Sequence, residues 1–304
     1  MVSTSSRHVE DLSLAQRERL AYIDFRLYFF GVIGRPDLIE RFGVAPAGAT
    51  RDLALYRDIA PQNITFDGSH KIYRIGLAFS PLFKHASHRV LSALALGFGG
   101  GINGESQPML PCESPTTLST PKMDVLAPIC RAIHTRKPVV IRYHSMSSGE
   151  SERVIVPLAL VDTGLRWHVR AFDRKSGEFR DFVLTRIEAP CLLNEEAQAN
   201  EQPDNDIQWM RIVELDFVPH PRFEHPEIIK MDYGMIDGSI RMRVRAAVVG
   251  YMLLRWCVDC SPDYSLKEEQ YRLWLSDPLA LYGVENAKLA PGYQSPAAKT
   301  LRKG

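Results

Sequence analysis

Apolar residues recur at Leu14, Leu20, Ile23, Leu27 and Phe30, close to helical spacing, and predict a helix from Leu14 to Ile33 that Gly31 and Gly34 bring to an end. Arg35-Pro36-Asp37 opens a short helix, Asp37 to Phe42, with proline suited to a first turn. Gly43 follows as a stop. A third helix, from about Pro46 to Asp58, turns Leu53, Leu55 and Ile59 inward and leaves Thr50, Arg51 and Arg57 free to face out. Two short helices joined by a glycine turn have helix-turn-helix spacing. Two short apolar runs then flank Asp67-Gly68, a strong hairpin signal, within Ile64 to Arg74. A hairpin directly after a recognition helix is a wing.

Beyond the wing, residues 77 to 120 have mixed character. Ser87 to Leu96 fits a helix, and the glycine run 97–104 breaks regular structure. That run lacks the Gly-Lys-Ser/Thr ending of a phosphate loop and the flanking strand and helix of a dinucleotide site, so it reads as a joint. Pro108, Pro111, Pro115 and Pro121 make the remainder linker-like. An amphipathic helix over 123–135 turns Val125, Leu126, Ile129 and Ile133 inward. Strands follow at Val139–His144, at Glu152–Leu158 with Leu160-Val161 beyond Pro157, at Leu165–Phe172 and at Glu178–Leu184. A short helix before small antiparallel strands fits an Sm-like or SH3-like barrel.

Residues 191–206 are acidic and polar and read as a loop. Val213–His220 is a strand, 221–233 is helical in part, Arg241–Val248 alternates as a strand, Val249–Trp256 is a helix and Tyr271–Leu275 a last strand. The basic tail beyond is expected to fray.

Composition adds little to this picture. Of 304 residues, 45% are hydrophobic and 24% charged, and the net charge is +1. Residues 1–76 carry ten Lys/Arg against nine Asp/Glu, so any nucleic-acid affinity rests on where charges lie. Five scattered cysteines point to a reducing compartment. Cys257-Val258-Asp259-Cys260 is a solitary CxxC, and His220 and His225 have no third ligand nearby, so no metal and no cofactor are expected. With neither a leader pattern nor an apolar run of ~20 residues, the expectation is a cytoplasmic protein without membrane partners.

The chemistry expected of the first domain is DNA recognition. The second helix of the pair lies in a major groove with its N-terminal residues at base edges, so the candidate contacts are Ala47, Thr50, Arg51 and Arg57. The wing tip, Ser69-His70-Lys71, reaches phosphate or the minor groove. In the middle segment, Tyr143, Ser145, Arg153, Trp167, His168, Arg170 and Arg186 are the candidate ligand residues. Arginine forks phosphate with two bonds and rings stack on bases.

Here the sequence becomes more specific. The runs Val140-Ile141-Arg142-Tyr143, Arg153 to Leu158, Leu165-Arg166-Trp167-His168-Val169-Arg170-Ala171-Phe172-Asp173 and Phe179 to Ile187 resemble a WYL domain. That family is named for a Trp-Tyr-Leu triplet, which here reads Trp167-His168-Val169. Ala49-Thr50-Arg51-Asp52-Leu53 and Asn63 to Gly68 fit the winged helices that precede WYL domains. Within the family, the chain resembles the BrxR/CapW group of anti-phage-defence repressors.

The resemblance implies an α+β protein in five parts. They are a winged helix-turn-helix at 1–78, a connector at 79–120, an Sm-like or SH3-like WYL sensor barrel at 121–192, a C-terminal α/β extension for dimerisation at 193–294 and a tail at 295–304. It implies a homodimer on an inverted-repeat duplex operator of a phage-defence operon. A nucleotide or nucleic-acid effector at the WYL domain would shift the spacing of the two winged helices, and His168 in the tyrosine position would tune ligand choice or pH response. The competing readings are a nucleic-acid-processing enzyme and an Sm-like RNA-binding protein. The chain has no Gly-x-Ser-x-Gly, no His-Glu-x-x-His and no spaced acidic cluster, and a non-enzyme is expected.

Overall fold

The computed structural model describes residues 9–98, 108–113, 115 and 118–295. The chain divides into two compact units, 1–115 and 116–304. The glycine run expected to break the chain lies outside the described residues from 99 onward.

In the first unit, α1 is Leu14–Phe30, capped by Ser13, whose hydroxyl accepts from Gln16 N–H. It buries Leu20, Ile23 and Leu27 completely, while Leu14 stays exposed. The helix ends three residues before the expected Ile33. Gly31 adopts a left-handed turn (φ 73°) and returns its N–H to Leu27, and the β-branched pair Val32–Ile33 becomes a short strand, β1. Helix α2 spans Arg35–Phe42, beginning two residues before the expected Asp37 because that carboxylate reaches back to Gly34 N–H at 2.6 Å. After Gly43 (φ 63°), α3 spans Pro46–Ile59. It buries Ala49, Leu53 and Tyr56, with Leu55 and Ile59 only half-buried. Strands β2 (Ile64–Asp67) and β3 (Ile72–Ile75) form the hairpin, and β1 adds to β3, giving the order β1-β3-β2.

The stretch after the wing, expected as a connector, is built into this unit through Phe98. Phe79, Leu82, Phe83 and Phe98 pack on the core of α1 and α3. A buried polar network fixes them. Asp24, fully buried on α1, accepts from the Tyr56 hydroxyl (2.5 Å), Leu82 and Phe83 N–H and His85 Nε2 (2.8 Å). Asn63 meanwhile binds Tyr56 and both backbone groups of Ser80. Helix α4 is Ser87–Leu96, as expected.

The second unit starts with α5, Met123–Thr135, which packs Val125, Ile129 and Ala132 on a five-stranded antiparallel sheet. Its strands are β4 (Val139–Ser145), β5 (Gly149–Asp162), β6 (Trp167–Asp173), β7 (Glu178–Val183) and β8 (Ile187–Leu192), in the order β7-β6-β5-β4-β8. Strand β5 is continuous through Pro157, where the missing N–H coincides with a register shift between Pro157 and Ala159. Among the described residues β7 and β8 are not hydrogen-bonded to each other, so the expected barrel is an open sheet.

Of residues 191–206, expected as a loop, Cys191 and Leu192 close β8, and the rest contain short 3₁₀ turns held by Glu201, which Arg174 clamps at 2.6 and 3.0 Å. Burial alone would raise the Glu201 carboxyl, but hydrogen bonds from Arg174 and Gln198 N–H outweigh it and hold it low. The short α6 (Ile207–Met210) follows, then β9 (Ile212–Pro219), α7 (Pro226–Asp232), β10 (Ile240–Arg245), α8 (Ala246–Arg255), β11 (Val258–Asp259) and β12 (Leu273–Leu275). The sheet order is β10-β9-β12-β11. Ala246 to Val248, expected in a strand, belong to α8. The ladder stops at Arg245 opposite Ile212, and the helix-favouring alanines are buried against the core. Strand β11 sits inside the CxxC. Cys260 is buried, and burial pushes its thiol up. His220 is buried against Asp259 at 3.1 Å and His225 pairs with exposed Glu227, so the two do not converge. No helix among the described residues is long and apolar enough to cross a membrane.

Candidate functional site

The first candidate site is the outer face of α3 with the wing. Ala47, Thr50, Arg51 and Arg57 are all exposed, and the first three share one face at i, i+3 and i+4. The helix is set on α1 by a two-bond ion pair, Arg19 to Asp52 at 2.6 and 3.2 Å. Thr50 turns its hydroxyl back to Pro46 C=O at 3.0 Å, which leaves the oxygen's acceptor lone pairs and the methyl group for a base.

At the wing, Asp67 organises the turn. It accepts from Ser69 and His70 N–H, from the His70 ring and from Arg74 Nε at 2.9 Å. Arg74 first, then His70, hold its carboxyl well below the usual carboxylate range. His70 gives Nδ1 to Asp67 and stays exposed, which leaves Nε2 facing solvent. Ser69 and Lys71 are exposed at the tip, Lys71 in a left-handed conformation (φ 54°). Among the described residues, Arg51, Arg57 and Lys71 have no carboxylate within 4.0 Å.

The second candidate site is a cleft of about 900 Å³ within the second unit. One wall is the sheet: Tyr143 on β4, His168 and Arg170 on β6, Asp181 on β7, and Arg186 in the turn after β7. The other wall is the C-terminal module: Asp206 and Gln208 at α6, Tyr251 on α8, and Glu285, Asn286 and Lys288. A volume of this size suits a small-molecule ligand.

Of the seven expected ligand residues, four meet here. Tyr143 is nearly buried and its hydroxyl accepts from Val183 N–H. His168 is 4% exposed, its ring lies on Tyr251 at 5.1 Å, and its Nδ1 has no hydrogen-bond partner among the described residues. Burial, with the nearby charges of Arg166 and Arg186, pushes its pKa down to about 4. Arg170 forks Asp206 at 2.7 and 2.9 Å and touches Asp181 at 3.4 Å. Burial works against its charge, but hydrogen bonds and charge from Asp206 and Asp181 more than offset it. Burial also raises Asp181, despite Arg170 and the Tyr251 hydroxyl at 3.0 Å. The shorter contacts make Asp206 the main counterion. Arg186 bonds only Met146 Sδ among the described residues.

The other three lie elsewhere. Ser145 closes the β4–β5 turn by accepting from Ser147 and Ser148 N–H. Arg153 is bound to buried Asp173 at 2.6 Å. Trp167 alternates with His168 on β6 and faces away from the cleft. Sequence reading missed Arg166, Asp181, Asp206, Tyr251, Glu285 and Lys288. Only Arg166, beside Trp167, carried a local signal. Arg166, Arg186 and Lys288 have no carboxylate partner among the described residues.

A winged helix-turn-helix followed by an open antiparallel sheet and a second sheet-and-helix module defines a multidomain transcriptional regulator. Family models divide the chain in the same way. Residues 15–95 match the BrxR transcriptional regulator winged helix-turn-helix domain, 124–192 the WYL domain, and 212–281 the BrxR transcriptional regulator C-terminal dimerization domain. The protein described as DNA-binding transcriptional repressor CapW in Escherichia coli (strain KTE188) is 34% identical over 252 residues, 79% of this chain and 82% of that protein. Proteins of the same description are 32% identical in Stenotrophomonas maltophilia (78% of this chain, 82% of that one) and 31% in Pseudomonas aeruginosa (79% and 82%). The chain belongs to this BrxR/CapW family of WYL-containing transcriptional regulators. A solved structure of proteasome accessory factor B/C from Arthrobacter aurescens matches 81% of this chain and about half (48%) of its own, at 16% identity and a TM-score of 0.25, too slight a likeness to carry anything over.

Proposed function

We propose that the chain is a homodimeric, sequence-specific repressor of a phage-defence operon, released or tightened on its operator by a nucleotide or nucleic-acid ligand in the WYL cleft. The observation that carries the DNA half is the set of exposed cations, Arg51 and Arg57 on α3 and Lys71 on the wing, that have no carboxylate partner among the described residues. Arg51 stands where a recognition helix presents side chains to base edges, and Lys71 where a wing meets phosphate. The relatives' description as DNA-binding repressors and the C-terminal match to a dimerization domain support the same reading. A dimer presents two such faces and so reads an inverted repeat.

The cleft supports the ligand half. Arg166, Arg186 and Lys288 line the cleft together with His168 and offer cations to phosphate. The assigned contacts are Ala47, Thr50, Arg51, Arg57, Ser69, His70 and Lys71 for DNA, with Tyr143, His168, Arg170 and Arg186 for the ligand. Footprinting with DNA from upstream of the chain's own gene tests the reading. A protected palindrome is expected, and absence of protection on any palindromic segment overturns it.

A further inference from the structure

The ligand cleft contains its own carboxylate. Asp206 sits in the guanidinium fork of Arg170 with both oxygens engaged, at 2.7 and 2.9 Å, and the two residues are 1% and 3% exposed. A phosphate oxygen pair fits the same fork. Beside it, His168 is 4% exposed and lines the cleft, and among the described residues its Nδ1 has no hydrogen-bond partner and Arg186 has no carboxylate. The cleft thus holds a buried polar atom and a cation without their natural partner, next to an arginine whose partner is supplied from within the chain.

We infer that Asp206 is a built-in competitor for the cleft's ligand: a phosphate-bearing molecule binds by displacing this carboxylate from Arg170. The inference rests on the cleft being the ligand site. Displacement has a structural consequence, because Asp206 also caps α6, accepting from Trp209 N–H at 3.1 Å. Arg245, at the end of β10, lies over the Trp209 ring at 4.8 Å and donates to Trp209 C=O at 2.5 Å. Phosphate on Arg170 therefore frees α6 from the sensor sheet at the point where it joins the C-terminal module. A ligand shifts a conformational balance only through differential affinity, and competition with Asp206 supplies that difference. While the carboxylate occupies the fork, apparent affinity falls by the fraction of time the fork is open.

Titration calorimetry of the full-length protein with inorganic pyrophosphate and, separately, with 5′-phosphorylated dithymidylate tests this. Asp206→Asn and Asp206→Ser remove the charge and keep a side chain able to cap α6. Either is expected to tighten binding at least about tenfold over wild type. Tightening for both probes assigns the effect to phosphate, and tightening for the dinucleotide alone assigns it to a nucleotide. In the wild-type protein, hydrogen exchange at the Trp209 amide is expected to quicken on saturation, a readout that needs no variant. If Arg186→Ala abolishes binding but the Asp206 variants bind no tighter, or if the Trp209 amide stays protected, the competition is wrong and the ligand site stands. If none of the proteins binds either probe, both ideas fail.

Discussion

The N–H of Gly250, on α8, donates to the side-chain carbonyl of Asn286 at 3.0 Å, and a Cβ on Gly250 would stand 2.0 Å from the Asn286 backbone oxygen. Asn286 in turn donates to Ala247 C=O at 2.6 Å. Glycine at this point lets the 285–289 turn lie directly on α8 and so forms the far wall of the cleft. Gly250→Ala is expected to cost about 1–3 kcal/mol through overpacking. Chemical denaturation should show a lower midpoint for the variant, and an unchanged midpoint would contradict the close approach.

The buried carboxylate of Asp24 depends on its donors. Tyr56→Phe removes the 2.5 Å hydrogen bond and leaves Asp24 and Asn63 each short of a partner. The expected loss is about 1–3 kcal/mol, the cost of stranding buried polar groups. Thermal unfolding, compared with the same change at exposed Tyr28, separates this from loss of a surface hydroxyl.

His168 gives stability a pH dependence whose sign follows from its low value of about 4 in the folded chain, against an ordinary 6.5. Above pH 6.5 the ring is neutral whether the chain is folded or not, and nothing is lost. Between 6.5 and 4 the unfolded chain takes up a proton that the folded chain refuses, so stability falls, by up to about 3 kcal/mol in total. His168→Gln should flatten this part of the stability curve in urea titrations from pH 7 to 4. Parallel curves would show that the ring does not titrate as described.

On the DNA face, Lys71→Ala is expected to weaken binding equally for all sequences and to lower the slope of log affinity against log salt by about one. Arg51→Ala should instead lower operator affinity by about tenfold or more and relax discrimination at one base pair, the loss of about 1–3 kcal/mol for a forked base contact. Fluorescence anisotropy across salt concentrations distinguishes the two.

The winged helix was legible because its signals are local: glycines stop α1 and α2, and Asp67-Gly68 marks the hairpin. The end of α1 was misread because a helix-spaced apolar run does not distinguish a last turn from a two-residue strand that finds its partner some forty residues later, at Tyr73 and Arg74. The cleft was half legible for a similar reason. His168 and Arg170 share a face by strand alternation, but Asp206 lies 36 residues beyond Arg170 and Tyr251 lies 70 beyond Asp181. No pattern along the chain announces such pairs. Arg153 looked like a ligand residue until Asp173, across the β5–β6 ladder, claimed it. Trp167 was excluded by alternation alone, a rule available from the sequence.

The Asp24 network also makes the first unit a crank. On one side of α1, the carboxylate lashes down residues 82–85, immediately before α4 begins at Ser87. The same carboxylate takes the Tyr56 hydroxyl of α3, and Arg19, earlier on α1, grips Asp52 on that helix. A close-packed interior transmits displacement rather than absorbing it. The recognition helix and the chain just before α4 therefore share their anchors on α1, and buried side chains remote from the exposed face fix the helix that carries Arg51.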